Sequence, residues 1–409
     1  EMNDSDTKLI LDETQPDFSA QIVKELQISD LDSSAINRLK KLWSQKAKRH
    51  LLLKISDDRM LEDLSLKTSR GLTYACLILL GKHSKIGEFL PDSEIILEWR
   101  QDSSKTSHDF RKSWRQPFLK FFDDIWEVIN SRNLRIPFQE GFVQREILAF
   151  DEKSVREAVL NAVTHRDYLI KGKSIFIKVS PDDFIIESPG GLMPGITIEN
   201  ILFKNSQRNR LLAETFEKAG LVERSGQGLD DIFRKTIEDG KGLPDLSKTD
   251  DYSVILKIPA KIQDPNFVLF LENVANKKQI AFSFDEVYEL EKIRKFGKVG
   301  NIEFKDKFLR LGIIEKSGVG RGSKYTLSSD YYESIDKIGL HTRIKGLTRD
   351  TNKQLIIEHL EKRGKGKPKE FRDALSDLKP KDVDNLLQEL RRSGAIYFDK
   401  STRYWRRSN

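Results

Sequence analysis

The chain has 409 residues, 38% of them hydrophobic and 33% charged, with a formal net charge of +7. That is enough apolar sequence for roughly two to four packed domains, and it excludes a disordered chain. One cysteine, Cys76, excludes an intramolecular disulfide framework and a multi-cysteine zinc site, and the six histidines do not pair at metal-ligand spacing.

The composition reads as that of a reduced, cytoplasmic protein. The longest apolar stretch, Leu72–Leu80 (LTYACLILL), is about half of what a membrane span needs, so no membrane partner is expected. The N-terminus opens on acidic and polar residues instead of the basic-then-apolar order of a signal peptide. It begins at Glu1, as a fragment of a longer chain would. The charge is unevenly placed. Residues 345–409 hold 17 Lys/Arg against 10 Asp/Glu, a net +7, so the first 344 residues are neutral in sum. A basic terminal module on a neutral body points to a polyanion partner.

In chain order, residues 1–20 lack periodicity and read as a linker, or as the remnant of a missing N-terminal domain. Residues 21–110 form a helical and mixed lead-in. Its features are apolar residues at helical spacing (Ile36, Leu39, Leu42, Trp43), capping residues at Asp30 and Asp32, a buried helix or strand at 72–80, and a strand at Ile95–Trp99. The pattern predicts an amphipathic helix over 110–131 with Trp114, Phe118, Phe121, Phe122, Ile125, Trp126, Val128 and Ile129 on one face. A second helix is expected at 154–164, capped by Asp151 or Ser154. Strands at 174–179 and 184–187 flank the turn Pro181-Asp182-Asp183. A Gly/Pro-rich loop follows, then helices at 198–203, 209–219 and 226–238, and a closing strand at 252–258. The expected body, 111–262, is an α/β sandwich whose mixed sheet is covered on one face. Two stretches, 263–335 and 345–409, repeat a helix-helix-helix-hairpin order, the plan of the winged helix–turn–helix. The fold class is therefore α+β.

Three segments carry candidate chemistry. Glu157 and Asn161 stand four apart on the predicted helix and share a side, opposite Val155, Val159 and Val163. A carboxylate there can polarise a water, and an amide oxygen can hold Mg²⁺ beside phosphates. Ser188-Pro189-Gly190-Gly191 follows a strand, where a flat purine can approach bare backbone. Gly226-Gln227-Gly228 opens a helix, so its amides can hold phosphate. Each segment alone is a weak signal; together and in this order they are specific.

The runs REAVLNAVTHRDY, IIESPGGLMPGIT and GLVERSGQGLDDI resemble the divergent GHKL (Bergerat-type) ATPase domain of the RecG-related, Schlafen AlbA_2-type bacterial transcriptional regulators. The resemblance takes in about residues 20–260. It implies ATP and Mg²⁺ as ligands, with Glu157 as general base and Asn161 as the Mg²⁺ ligand. It places Gly190 and Gly191 on the adenine side, Gly226 and Gly228 at phosphates, and an ATP lid over 192–225 in which Arg208 and Arg210 reach toward the γ-phosphate. His165 and Asp167 match the motif without an assigned role. The family's preceding AlbA_2 domain is absent, and Ser188 stands where such ATPases carry an adenine-holding Asp. A P-loop is excluded: Gly172-Lys173-Ser174 has Asp167 in place of the first glycine and runs into a strand.

For the terminal winged helix, duplex DNA is the expected partner. Lys379, Lys381, Arg391 and Arg392 lie on the candidate recognition helix, and Lys400, Arg403, Arg406 and Arg407 on the wing. The other use of such modules is protein contact or homodimerisation. Three functions compete at this level: a nucleotide-responsive DNA-binding regulator, an active ATPase in DNA processing or defence, and a degenerate ATPase fold kept as a scaffold.

Overall fold

The structure, a computed structural model, describes residues 17–140, 143–204, 206–222, 228–317, 323–334, 349–375, 378–399 and 401–408. They form two compact units. One runs to Leu269 and takes in Phe282–Tyr288; the other comprises Phe270–Ala281 and the residues from Glu289 onward. No helix among the described residues is long and apolar enough to cross a membrane.

The first unit opens with helices α1 (Ser33–Ala47) and α2 (Asp57–Asp63), short strands β1 (Lys67–Thr68) and β2 (Gly71–Leu72), and helices α3 (Tyr74–Leu80) and α4 (His83–Phe89). Residues 17–20, expected to be linker, are packed instead. Asp17 Oδ2 and Ser19 Oγ accept from the Leu211 and Leu212 amides, and Phe18 packs against Tyr74 and Tyr168. Residues 1–16 lie outside the described residues.

Strands β3 (Ile95–Trp99) and β4 (Phe110–Trp114) pair antiparallel. The expected helix over 110–131 is thus two elements. Arg111, Lys112 and Ser113 pair along β3, and helix α5 (Phe118–Asn130) starts only after Pro117, which supplies a fixed φ where the chain turns in. Its aromatic face is core as expected, with Phe118, Phe121, Phe122, Ile125 and Ile129 buried.

Hairpin β5–β6 (Arg135–Glu140, Val143–Leu148) and helix α6 (Glu152–His165) follow, then β7 (Ile175–Val179), β8 (Asp183–Pro189), α7 (Arg210–Lys218), α8 (Gly228–Glu238) and β9 (Ser253–Pro259). The segment 198–203 is a series of turns, with Asn200 Oδ1 accepting from the Thr197 amide, and not the expected helix.

The central sheet has the order β4-β3-β7-β8-β9; β3 and β7 run parallel and the other neighbours antiparallel. Burial alternates along β7 and β8, as period-2 side-chain geometry requires. Leu97, Ile177, Ile186 and Leu256 stand in register across four strands on the buried face. Helix α6 packs on that face, so the chain is mixed α+β around a mixed sheet.

Further along the chain come α9 (Pro265–Lys278), α10 (Phe284–Phe296), α11 (Lys305–Leu311), the hairpin β10–β11 (Ile314–Ser317, Lys324–Leu327) and α12 (Ser329–Ser334). The glycine-rich tip at 318–322 lies outside the described residues. The last module consists of α13 (Arg349–Arg363), α14 (Pro368–Ala374), α15 (Pro380–Arg392) and the hairpin β12–β13 (Ile396–Asp399, Tyr404–Arg407). It has its own core, made by Ile356, Leu360, Phe371, Val383, Leu387 and Trp405 among others.

Candidate functional site

Helix α6 begins where Asp151 accepts from the Ser154 amide at 2.9 Å. It buries Val155, Val159 and Val163, which leaves Glu157 and Asn161 on its other side, half-exposed in a cavity of about 220 Å³. The floor comes from the sheet (Ile186, Ser188, Val254 and Leu256), and the 192–208 segment supplies Leu192, Met193, Ile196, Lys204 and Arg208. Gly228 and Leu229, at the start of α8, complete the wall.

Glu157 and Gly228 touch. A methyl group built on Gly228 would overlap Glu157 Oε1, so the carboxylate occupies the space that the absent side chain leaves at the N-terminal end of α8. Helix starts carry unpaired amides and partial positive charge, which favours an anion there. Asn161 makes no hydrogen bond among the described residues, so its carboxamide is available to a ligand.

Ser188 is buried on the cavity floor and donates its hydroxyl to Ala162 O at 2.8 Å. The hydrogen is therefore directed at α6, and toward the cavity the oxygen offers lone pairs. Gly191 lines the cavity and Gly190 does not. Both glycines are required by close backbone packing. Gly190 has φ +107°, and a Cβ there would stand 2.7 Å from Asp167 Cβ; one on Gly191 would stand 2.6 Å from Asp251 O. Gly226 lies outside the described residues.

Arg208 lies against the rim, donating to Gly191 O at 2.8 Å and sitting 3.5 Å from Asp167 Oδ2. Arg210 pairs with Glu214 at 2.9 Å, is exposed, and does not line the cavity. His165 does line it. Burial, with Arg208 nearby, pushes its imidazole down to about 4, so it is neutral at physiological pH. Asp167 shapes the site through Gly190 and Arg208.

Sequence reasoning missed Lys204, Thr164, Leu246 and Val254 in the wall, and missed Asn209. Asn209 is fully buried, and its Nδ2 donates to the Thr164 and Arg166 carbonyls at 2.8 Å each, which ties the end of the 192–208 segment to the end of α6. An asparagine before a helix reads as a cap, so nothing local marked this longer reach.

The family described as "Putative ATP-dependent DNA helicase recG C-terminal" matches residues 172–256. The chain carries an ATPase-like domain of the RecG-related type. The match takes in β7, the Ser188–Gly191 turn and α8, and ends within β9. The Glu157/Asn161 helix precedes it and is brought to the ATPase-like domain by the fold. Residues 8–96 match a second family, described as a domain of unknown function (DUF8451). Among curated proteins none matches the chain. The fold resembles that of the DIP2311 protein from Corynebacterium diphtheriae, with a TM-score of 0.62 and 20% identity over 79% of this chain. The chain spans 66% of that protein's length. At this identity the likeness is one of fold.

In the C-terminal module, Lys379 is the residue before α15, Lys381 is exposed in its first turn, and Arg391 and Arg392 are exposed in its last. Arg403 is exposed in the hairpin turn, at φ +59°. Arg406 Nε is 3.4 Å from Asp399, and Arg407 pairs with Glu361. Two of the expected wing cations are therefore engaged within the module. Lys400 lies outside the described residues.

Proposed function

We propose that the chain is a nucleotide-responsive DNA-binding protein, with Mg-ATP in the ATPase-like cavity and winged helices in the two helix-hairpin stretches as the DNA-binding part. One observation carries the nucleotide reading. Glu157 and Asn161 from α6, Ser188 from β8 and Gly228 at the start of α8 come from three separate segments and line one cavity. The donor set fits the ligand. Mg²⁺ takes one or two protein oxygens beside phosphate and water oxygens, and Asn161 supplies one. Phosphates suit the α8 start and the cations Lys204 and Arg208. The Ser188 lone pairs match the 6-amino group of adenine, so serine does the work of the aspartate it replaces.

When bound, Mg²⁺ neutralises phosphate charge. In the chain itself, Glu157 would accept a proton from an attacking water, Asn161 would orient the metal, and the apolar residues of the 192–208 segment would exclude bulk solvent. Because Glu157 is in place beside the α8 start, slow hydrolysis is the second reading. A role as a transcriptional regulator, and a homodimer, belong to the same proposal.

The test is thermal unfolding of the full chain with Mg-ATP, Mg-ADP and ATP without Mg²⁺. Binding at about 100 times the dissociation constant stabilises the folded state by roughly 2.7 kcal/mol. The proposal is overturned if millimolar Mg-ATP leaves the melting temperature unmoved.

A further inference from the structure

The terminal module holds a basic surface that its helix pattern does not reveal. Gly366, between α13 and α14, forms an antiparallel bridge with Trp405. Its N–H donates to Trp405 O at 3.0 Å, and its carbonyl accepts from the Trp405 N–H at 2.9 Å. This adds a third edge to the β12–β13 hairpin. Trp405 is 5% exposed and belongs to the module core, and a Cβ on Gly366 would run into the Phe371 ring. Both residues therefore face inward.

Side chains alternate along extended backbone, so the neighbours of this pair face outward. Those are Lys365 and Lys367 on the strap, Tyr404 and Arg406 on β13, and, by register, Tyr397 and Asp399 on β12. The contacts agree: Lys365 Nζ is 4.8 Å and Lys367 Nζ 5.3 Å from the Tyr404 ring centroid. Both lysines are exposed, and neither forms an ion pair among the described residues. Cation–π contact holds two ammonium groups side by side on one sheet face. Lys365, Lys367 and Arg406 against Asp399 give this face a net +2, and Arg403 adds charge at its rim.

Helix α15 differs. It carries Lys381, Arg391 and Arg392 only at its two ends, with Asp382, Asp384 and Glu389 along its length. Arg372 takes Asp384 at 2.7 Å and Lys353 takes Glu389 at 3.0 Å, so two of its three acids are held by cations from other helices. No cation lies on it between Lys381 and Arg391.

We propose that the outer sheet face around Tyr404, and not helix α15, holds the phosphates of duplex DNA. Because the Tyr404 ring is engaged by two ammonium groups, the contact expected is with backbone phosphate. The inference rests on the reading of this module as DNA-binding.

The experiment is a salt titration of duplex binding by the full chain and two double variants, with melting temperatures taken to confirm folding. Lys365→Gln/Lys367→Gln should weaken binding and lower the log–log salt slope by about 1.8, at about 0.9 per phosphate contact. Arg391→Ala/Arg392→Ala should leave the slope unchanged, and Lys365→Arg/Lys367→Arg should keep binding. If the α15 variant loses the slope and the lysine variant does not, the sheet-face assignment falls while DNA binding stands. Tighter binding of a single strand than of duplex also overturns it. If the wild type binds no DNA, the DNA reading falls with it.

Discussion

The Glu157 carboxylate fills the place where Gly228 lacks a side chain. This contact joins α6 to the first residue of α8 and puts an acid and a helix start on one wall of the cavity. Since the overlapping atom is the end of a flexible side chain, Gly228→Ala should fold, with Glu157 displaced. We expect a melting temperature within a few degrees of wild type. The stabilisation by Mg-ATP should fall sharply. Calorimetry with and without Mg-ATP checks this, and an undiminished ligand shift would show that the contact is dispensable.

If the cavity hydrolyses ATP, Glu157→Ala should slow turnover by about 10²–10⁴-fold and leave nucleotide affinity nearly intact. Asn161→Ala should act on the other quantity, weakening binding only when Mg²⁺ is present. Single-turnover rates and equilibrium titrations separate the two. Equal turnover in wild type and Glu157→Ala would remove the base.

Ser188 should set the preference for the nucleobase. With its hydrogen committed to Ala162 O, the oxygen accepts the 6-amino group of adenine and has nothing to donate to the 6-oxo group of inosine. Wild type should therefore bind ATP more tightly than inosine triphosphate, and Ser188→Ala should narrow the gap. The fold should tolerate the change at about 1 kcal/mol, because Ala162 O keeps the Arg166 N–H at 3.1 Å. Competition binding with both nucleotides measures the ratio; equal affinities in wild type would end this assignment.

Two groups give the fold opposite pH dependences. Asp230, in the first turn of α8, is pushed up to about 6 by burial and by the nearby Asp285 and Asp231. Its protonated form favours the folded state, fully so below about 3.8, and that contribution is lost as pH rises through 6. Asp230→Asn should thus raise the melting temperature at pH 8, with the gain fading toward pH 4. His165 is depressed instead. Its contribution is present above about 6.5 and is lost as pH falls through 4, so His165→Gln should blunt acid destabilisation in that window. Melting curves from pH 4 to 8 test both; a pH-independent offset in either variant would remove that group as a source.

The helix holding Glu157 and Asn161, the hairpin at Pro181-Asp182-Asp183 and the helix-helix-helix-hairpin orders were all legible in the sequence, because they rest on local periodicity and turn chemistry. The α5 aromatic face was legible for the same reason. Its start was misplaced because Phe110 and Trp114 satisfy a helical pattern as well as a strand one, and only pairing along β3 decides between them. The sequence by itself set the candidates: a carboxylate and a carboxamide one turn apart, glycines at two turns, and a net charge gathered at one end.

Tertiary structure alone decided what those residues face. Gly190 packs against Asp167, Arg210 turns to Glu214, and Arg406 and Arg407 are matched to acids of their own module. Lys365 and Lys367 are brought to Tyr404 by a single bridge at Gly366. Each of these depends on contacts between segments far apart in the chain, and on strand register, where a shift of one residue reverses the face. A local pattern carries neither.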